Sequence, residues 1–175
     1  MTDSEAALQT NGGTVTQTLD QEVLQFSSRP DATEILAGPL RVADLMTSET
    51  TSMRADQSFS ELVTMMANHS FHHVLVIDGD KKLSGVISDR DVLRELARTR
   101  QWHSKQLSEI MTQHPVTATP DMLISAAVRE MLAKRINCLP VVAADGTLCG
   151  ILTSTDLLKA LERLQTLIEK SKRPA

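Results

Sequence analysis

Apolar and polar positions alternate along this chain in a pattern that predicts the same elements twice. Phe59, Leu62, Val63 and Met66 fall at i, i+3, i+4 and i+7, one apolar stripe on a helix. Ile124, Ala127, Val128, Met131 and Leu132 lay down a second stripe of the same spacing. Each helix is followed by two apolar runs, Val74–Ile77 with Leu83–Ile87 and Leu139–Val142 with Leu148–Leu152. Asp78-Gly79-Asp80-Lys81 joins the first pair and Ala144-Asp145-Gly146 the second, residues suited to tight turns. Runs this apolar predict strand pairs covered on both faces. A second helix closes each unit, over Asp91–Arg100 and Asp156–Lys170. Each unit opens with a segment ending in Met-Thr (Asp44–Thr47, Glu109–Thr112) and a short extended stretch (Thr50–Met53, Pro115–Thr119). Ser58-Phe59-Ser60-Glu61 has the form of a capping box, whereas the second unit has Leu123 at the cap position.

The two units are copies. Displaced by 65 positions, Met46–Leu96 falls on Met111–Leu161 without a gap, and 13 of the 51 pairs are identical. Among them are Met46/Met111, Thr47/Thr112, Gly85/Gly150 and Asp91/Asp156. Two copies, rather than many, predict a pseudo-twofold module with paired clefts instead of a solenoid. Outside the copies, residues 1–18 are polar and predict a disordered tail. Residues 19–40 carry Val23, Leu24 and Phe26 and predict an adaptor segment that packs on the module or a neighbouring subunit. The copies span 41–100 and 107–164, with a linker at 101–106 in which Trp102 serves as an anchor. Residues 165–175 extend the last helix into a tail, and Leu164, Leu167 and Ile168 predict a subunit contact or packing on 20–37.

Composition narrows the classes of function. With 41% hydrophobic and 23% charged residues the 175-residue chain reads as an ordinary globular protein. Its net charge of −4 does not favour nucleic acid or an anionic membrane, and 2% aromatics leave no stacking platform for single strands. No apolar stretch approaches the roughly 20 residues that span a bilayer. MTDSEAALQT lacks a basic region followed by an apolar one, so the expected location is cytoplasmic. Cys138 and Cys149 are expected to be reduced and buried, and nothing suggests a metal. There is no nucleophile elbow, phosphate-binding glycine loop or dinucleotide fingerprint, so no catalytic residue is assigned.

The chemistry-bearing pattern lies where the last strand of each copy meets its last helix. The first copy reads Gly85-Val86-Ile87-Ser88-Asp89-Arg90-Asp91 and the second Gly150-Ile151-Leu152-Thr153-Ser154-Thr155-Asp156. A hydroxyl residue with Asp three positions on is an N-cap, which by itself accounts for the pattern. The same geometry suits a nucleotide: the helix start attracts phosphate, the hydroxyl donates to it, and Asp accepts from a ribose diol. The upstream glycine is expected to let phosphate approach.

These motifs resemble a tandem pair of cystathionine-β-synthase-type (CBS) domains, a Bateman module. The resemblance covers about 41–164 and rests on Asp44-Leu45-Met46-Thr47, Glu109-Ile110-Met111-Thr112, Leu139-Pro140-Val141-Val142 and the two strand–helix junctions. It implies an α/β (α+β) fold of two β-α-β-β-α repeats related by a pseudo-twofold axis, usually dimeric. It also implies a non-catalytic regulatory module that binds an adenosyl ligand, AMP, ADP, ATP or S-adenosylmethionine, with no obligatory cofactor. Asp91 and Asp156 would hold ribose, and Ser88 and Thr153 phosphate. The backbone near Thr51 and Val116 would meet the base. His72 and His73 would serve phosphate at the Thr153–Asp156 site, where the other site has Asn137 and Cys138, with Arg90 compensating. Pro140, the counterpart of Leu75 in the first copy, completes the candidate set. The alternative is a dimeric scaffold whose clefts stay empty and which binds another protein.

Overall fold

The computed structural model describes residues 38–70 and 72–171, all of them within one compact unit. The expected disordered tail, nearly all of the adaptor segment and residues 172–175 lie outside the described residues. After a single helical turn α1 (Val42–Leu45), strand β1 (Ser52–Arg54) lies parallel to β2 (His73–Ile77), with helix α2 (Phe59–Asn68) between them. Strand β3 (Leu83–Ser88) returns antiparallel to β2 and runs into helix α3 (Asp89–Arg98). The second copy follows the same course with helix α4 (Ile124–Lys134), strands β5 (Cys138–Val142) and β6 (Leu148–Thr153), and helix α5 (Ser154–Ser171).

Two local expectations shift. The stretch Pro115–Thr119 makes one parallel bridge, Ala118 to Val141, rather than a strand. Its flanking prolines, Pro115 and Pro120, have no amide to give a ladder. Cys138 is buried as expected, but Cys149 is only half-buried.

The copies are not independent sheets laid side by side, because each lends its first segment to the other. Strand β4 (Thr112–Gln113) of the second copy pairs with β3, Thr112 opposite Val86. Thr47 of the first copy pairs in the same way with Ile151 of β6, through backbone bonds of 2.9 and 3.0 Å. The helical turns follow: Val42 N–H donates to Met122 O at 2.8 Å, and Leu107 N–H to Gln57 O at 3.0 Å. Each bond maps onto its partner under the same 65-residue displacement, so the exchange obeys the pseudo-twofold relation.

The core divides accordingly. One cluster joins Val42 and Leu45 to Ala127, Met131, Leu139, Val141 and Leu152 of the second copy. The other joins Leu107 to Met53, Phe59, Leu62, Val74, Val76 and Ile87 of the first, with Ile110 and Met111 packed against it. This arrangement explains the paired glycines differently from the sequence expectation. A Cβ at Gly85 would lie 2.7 Å from Met111 Sδ and 2.9 Å from Thr112 O, and one at Gly150 2.6 Å from Thr47 O. The space that glycine leaves open is filled by the other copy's Met-Thr, not kept for phosphate.

The hairpin tips meet near the pseudo-twofold axis, where Leu83 N–H donates to Gly146 O and Leu148 N–H to Lys81 O. Both axial residues take left-handed backbone angles, φ 85° at Gly146 and φ 60° at Lys81. Trp102 anchors the linker by standing edge-on to Phe59, centroids 6.0 Å apart, with His103 stacked on its other side. On α5, Leu158 and Leu161 are exposed, while Leu164, Leu167 and Ile168 are half-buried.

Candidate functional site

Ser88 ends β3 and caps α3, and Thr153 ends β6 and immediately precedes α5. Strand backbone at the cap and an acidic residue in the first turn let the side chains bond back on one another. Ser88 Oγ donates to Asp91 Oδ2 at 2.6 Å, and Ser88 N–H donates to the same oxygen at 3.0 Å. In the second copy Thr153 Oγ1 and N–H reach Asp156 Oδ2 at 2.7 and 2.9 Å. Each clamp leaves the carboxylate's Oδ1 turned away from its cap.

What meets Oδ1 differs between copies. Arg94, one turn along α3, donates to Asp91 Oδ1 at 2.7 Å. Thr47, delivered by the exchanged segment, donates to Asp156 Oδ1 at 3.4 Å. Asp156 is 5% exposed, the one buried charged residue among those described. Burial pushes the Asp91 carboxyl up, but the Ser88 bonds and the Arg94 guanidinium outweigh it and hold Asp91 below the usual carboxylate range. Arg94 is not among the residues the sequence points to, and Thr47 stands there as part of the Met-Thr motif, not as a site residue. Arg94 was within reach, since i+3 from an acidic residue is a contact spacing on a helix. Thr47 was not, because its approach depends on the exchange.

Of the remaining candidates, the histidines and Arg90 lie at the start of α3, whereas Pro140 is buried in β5. His73 opens β2 directly opposite Ser88, and His72 Nδ1 lies 3.0 Å from Asp89 Oδ2. Burial lowers the His73 pKa, the neighbouring His72 adds to the effect, and Asp89 and Asp91 oppose it. The two histidines thus stand beside the helix start of their own copy. Cys138 is the element of the second copy that reaches across: burial, and then the Asp91 carboxylate, push its thiol up to about 12. Strand β3 packs against β5 at this crossing. Arg90 is exposed at the start of α3, its amide donating to Asp89 Oδ1 at 2.7 Å. Thr51 is exposed just before β1, and Val116 is half-buried ahead of the Ala118 bridge. Pro140 is fully buried in β5, where its carbonyl accepts from Ala118 N–H at 2.9 Å, so its ring has no surface to offer a ligand. Among the described residues no group of three or more His, Cys, Asp or Glu is placed to hold a metal ion. No described helix is long and apolar enough to cross a membrane.

Comparison with known proteins bears on the same stretches. The CBS domain model matches residues 42–98 and again 107–163. The homoserine O-acetyltransferase of Methanohalobium evestigatum is 31% identical over 69% of this chain, yet the match takes in 24% of that enzyme. The chain therefore spans about a quarter of the length of the curated relatives it matches. Among solved structures, the CBS domain pair of protein MJ0100, in complex with 5′-methylthioadenosine and S-adenosyl-L-methionine, superposes with a TM-score of 0.65. It is 26% identical, covering 71% of this chain and 98% of that one. CBSX2 in complex with AMP gives a TM-score of 0.65 at 27% identity, over 71% of this chain and 98% of that one. Two matched repeats, with the strand order and doubled clamps described above, make this chain a member of the CBS domain family, carrying the domain in tandem.

Proposed function

We propose that the chain is a regulatory module that binds adenosine-containing ligands in clefts at the starts of α3 and α5. The observation that carries this reading is the doubled clamp. In each copy a Ser or Thr hydroxyl and its own amide hold one oxygen of an aspartate, so the other is oriented for a ribose diol. Ser88 and Asp91 serve one cleft, Thr153 and Asp156 the other. In this reading the backbone at Thr51 and Val116 meets the base. The adenosyl compounds bound by MJ0100 and AMP bound by CBSX2 support the same ligand class. Binding acts as a signal only through a difference in affinity between two shapes of the module. Calorimetric titration with AMP, ADP, ATP and S-adenosylmethionine tests the reading. At least one is expected to bind and to raise the melting temperature; absence of heat and of any thermal shift from all four overturns it.

A second reading, a dimeric scaffold with empty clefts, draws on a different observation. Leu93 and Leu158 hold equivalent positions in the two copies and are 67% and 63% exposed, with Leu161 beside Leu158 at 51%. A second copy presenting the same pair would cover all of them. The two readings part at the clefts, filled in one and empty in the other, and in both the chain is a homodimer without catalytic chemistry of its own.

A further inference from the structure

The two helix starts differ in charge at the point where a phosphate would sit. At α3 the position is already held by an anion. Asp89 Oδ1 accepts the Arg90 amide at 2.7 Å, and Asp89 Oδ2 lies 3.0 Å from His72 Nδ1. The other early amides are engaged alike at both starts, Asp89 N–H by His72 O at 3.0 Å and Asp91 N–H by Ser88 Oγ at 3.3 Å, Ser154 N–H by Asn137 O at 2.9 Å and Asp156 N–H by Thr153 Oγ1 at 3.4 Å, so the difference between them lies in Asp89. Arg94 is spent on Asp91. Across the cleft the second copy offers Asn137 and Cys138, both uncharged, and the Cys138 thiol stays protonated. A phosphate here would meet two carboxylates, with His72 and Arg94 both committed to them and the exposed Arg90 left to oppose them. At α5 the residue matching Asp89 is Ser154, so no carboxylate stands over the Thr155 amide.

We propose that the cleft at the start of α3 selects adenosine compounds without phosphate, neutral thioethers or sulfonium cations, while phosphorylated ligands go to the cleft at α5. This rests on the adenosyl-binding reading and adds to it a division of labour by charge. A ribose can still displace the exposed Arg94 from Asp91, because Ser88 keeps the carboxylate oriented. A sulfonium would replace the charge that Arg94 withdraws, and a thioether would bring none to oppose Asp89. A phosphate would place a like charge beside Asp89 and lose the Arg90 amide that Asp89 already occupies.

The test is calorimetric titration of the full chain with 5′-methylthioadenosine, S-adenosylmethionine and AMP, in wild type, Asp91→Ala and Asp156→Ala. Asp91→Ala should weaken 5′-methylthioadenosine by about tenfold or more and leave AMP within about twofold, and Asp156→Ala should do the reverse. AMP weakened by Asp91→Ala as much as 5′-methylthioadenosine is would overturn the division. Asp89→Ser, which copies Ser154 at an exposed position, provides an arm that leaves the clamp untouched. It should add a second AMP equivalent, and unchanged AMP stoichiometry would count against the proposal. Should none of the three compounds bind wild type, the adenosyl-binding reading itself fails, an outcome distinct from binding without division.

Discussion

At the scale of single residues, His73 ties fold stability to the candidate site. Its imidazole is half-buried in β2 opposite Ser88, and burial holds its pKa below the free value of 6.5. The unfolded chain therefore binds a proton more readily than the folded one. Above about pH 6.5 both states are neutral and this residue costs nothing; below it the unfolded state gains the proton and stability falls. His73→Gln removes that loss. The melting temperature of the variant should drop less than that of wild type between about pH 7.5 and about pH 5. Parallel profiles would show that another group drives the acid limb, and the other titratable neighbours of His73 are His72, Asp89 and Asp91. The same residue shows how far a sequence reading reaches. That a histidine would stand near a hydroxyl–aspartate pair came from the family resemblance, which assigns it to Thr153 and Asp156 rather than to the Ser88 it faces across the ladder. That His72 would be engaged by Asp89 did not, because the contact depends on the register of β2 against β3.

At the scale of elements, the starts of the helices were legible and their partners were not. Ser58-Phe59-Ser60-Glu61 predicted a capping box, and Glu61 N–H does donate to Ser58 Oγ at 3.2 Å while Ser58 N–H donates to Glu61 Oε2 at 3.3 Å. The second copy has Leu123 there, and α4 has no side-chain cap. Ser58→Ala should therefore cost about 1 kcal/mol of stability, measured by urea unfolding. Leu123→Ala, which removes no cap, should show none of that loss beyond its apolar contact. Equal costs would mean that the capping bonds of α2 add nothing net. The exchange of opening segments, by contrast, leaves no mark on the hydrophobic pattern. Val42 and Leu45 must be apolar whichever copy they pack on, and a displacement of 65 maps an exchanged pair and an unexchanged pair equally well. Only the glycines carry a hint, since two strand glycines at matched positions signal a close backbone approach. The approaching backbone is Thr47 O at Gly150 and Thr112 O at Gly85.

At the scale of the whole molecule, the exchange makes each repeat incomplete alone. The second copy's core takes Val42 and Leu45, exposed 0% and 2%, from a segment more than sixty residues upstream in sequence, and Thr47 supplies the edge of its sheet. Without that segment β6 loses its outer partner, and Leu139, Val141 and Leu152 lose part of their cover. Replacing two buried aliphatic side chains by a void costs about 2–5 kcal/mol each, which is most of the 5–15 kcal/mol that holds a whole domain folded. A fragment of residues 101–175 should therefore show no cooperative melt, whereas residues 38–171 should unfold in one transition. Adding a peptide of residues 38–50 to the fragment should restore a concentration-dependent transition, since the peptide carries the missing core and edge. A sharp melt from the fragment alone would show that the second copy completes its own core and that the exchange is not needed for folding. The same dependence bears on signalling. Asp156 is touched by Thr47 from the exchanged segment, so a ligand drawn to Asp156 acts on chain that belongs to both repeats.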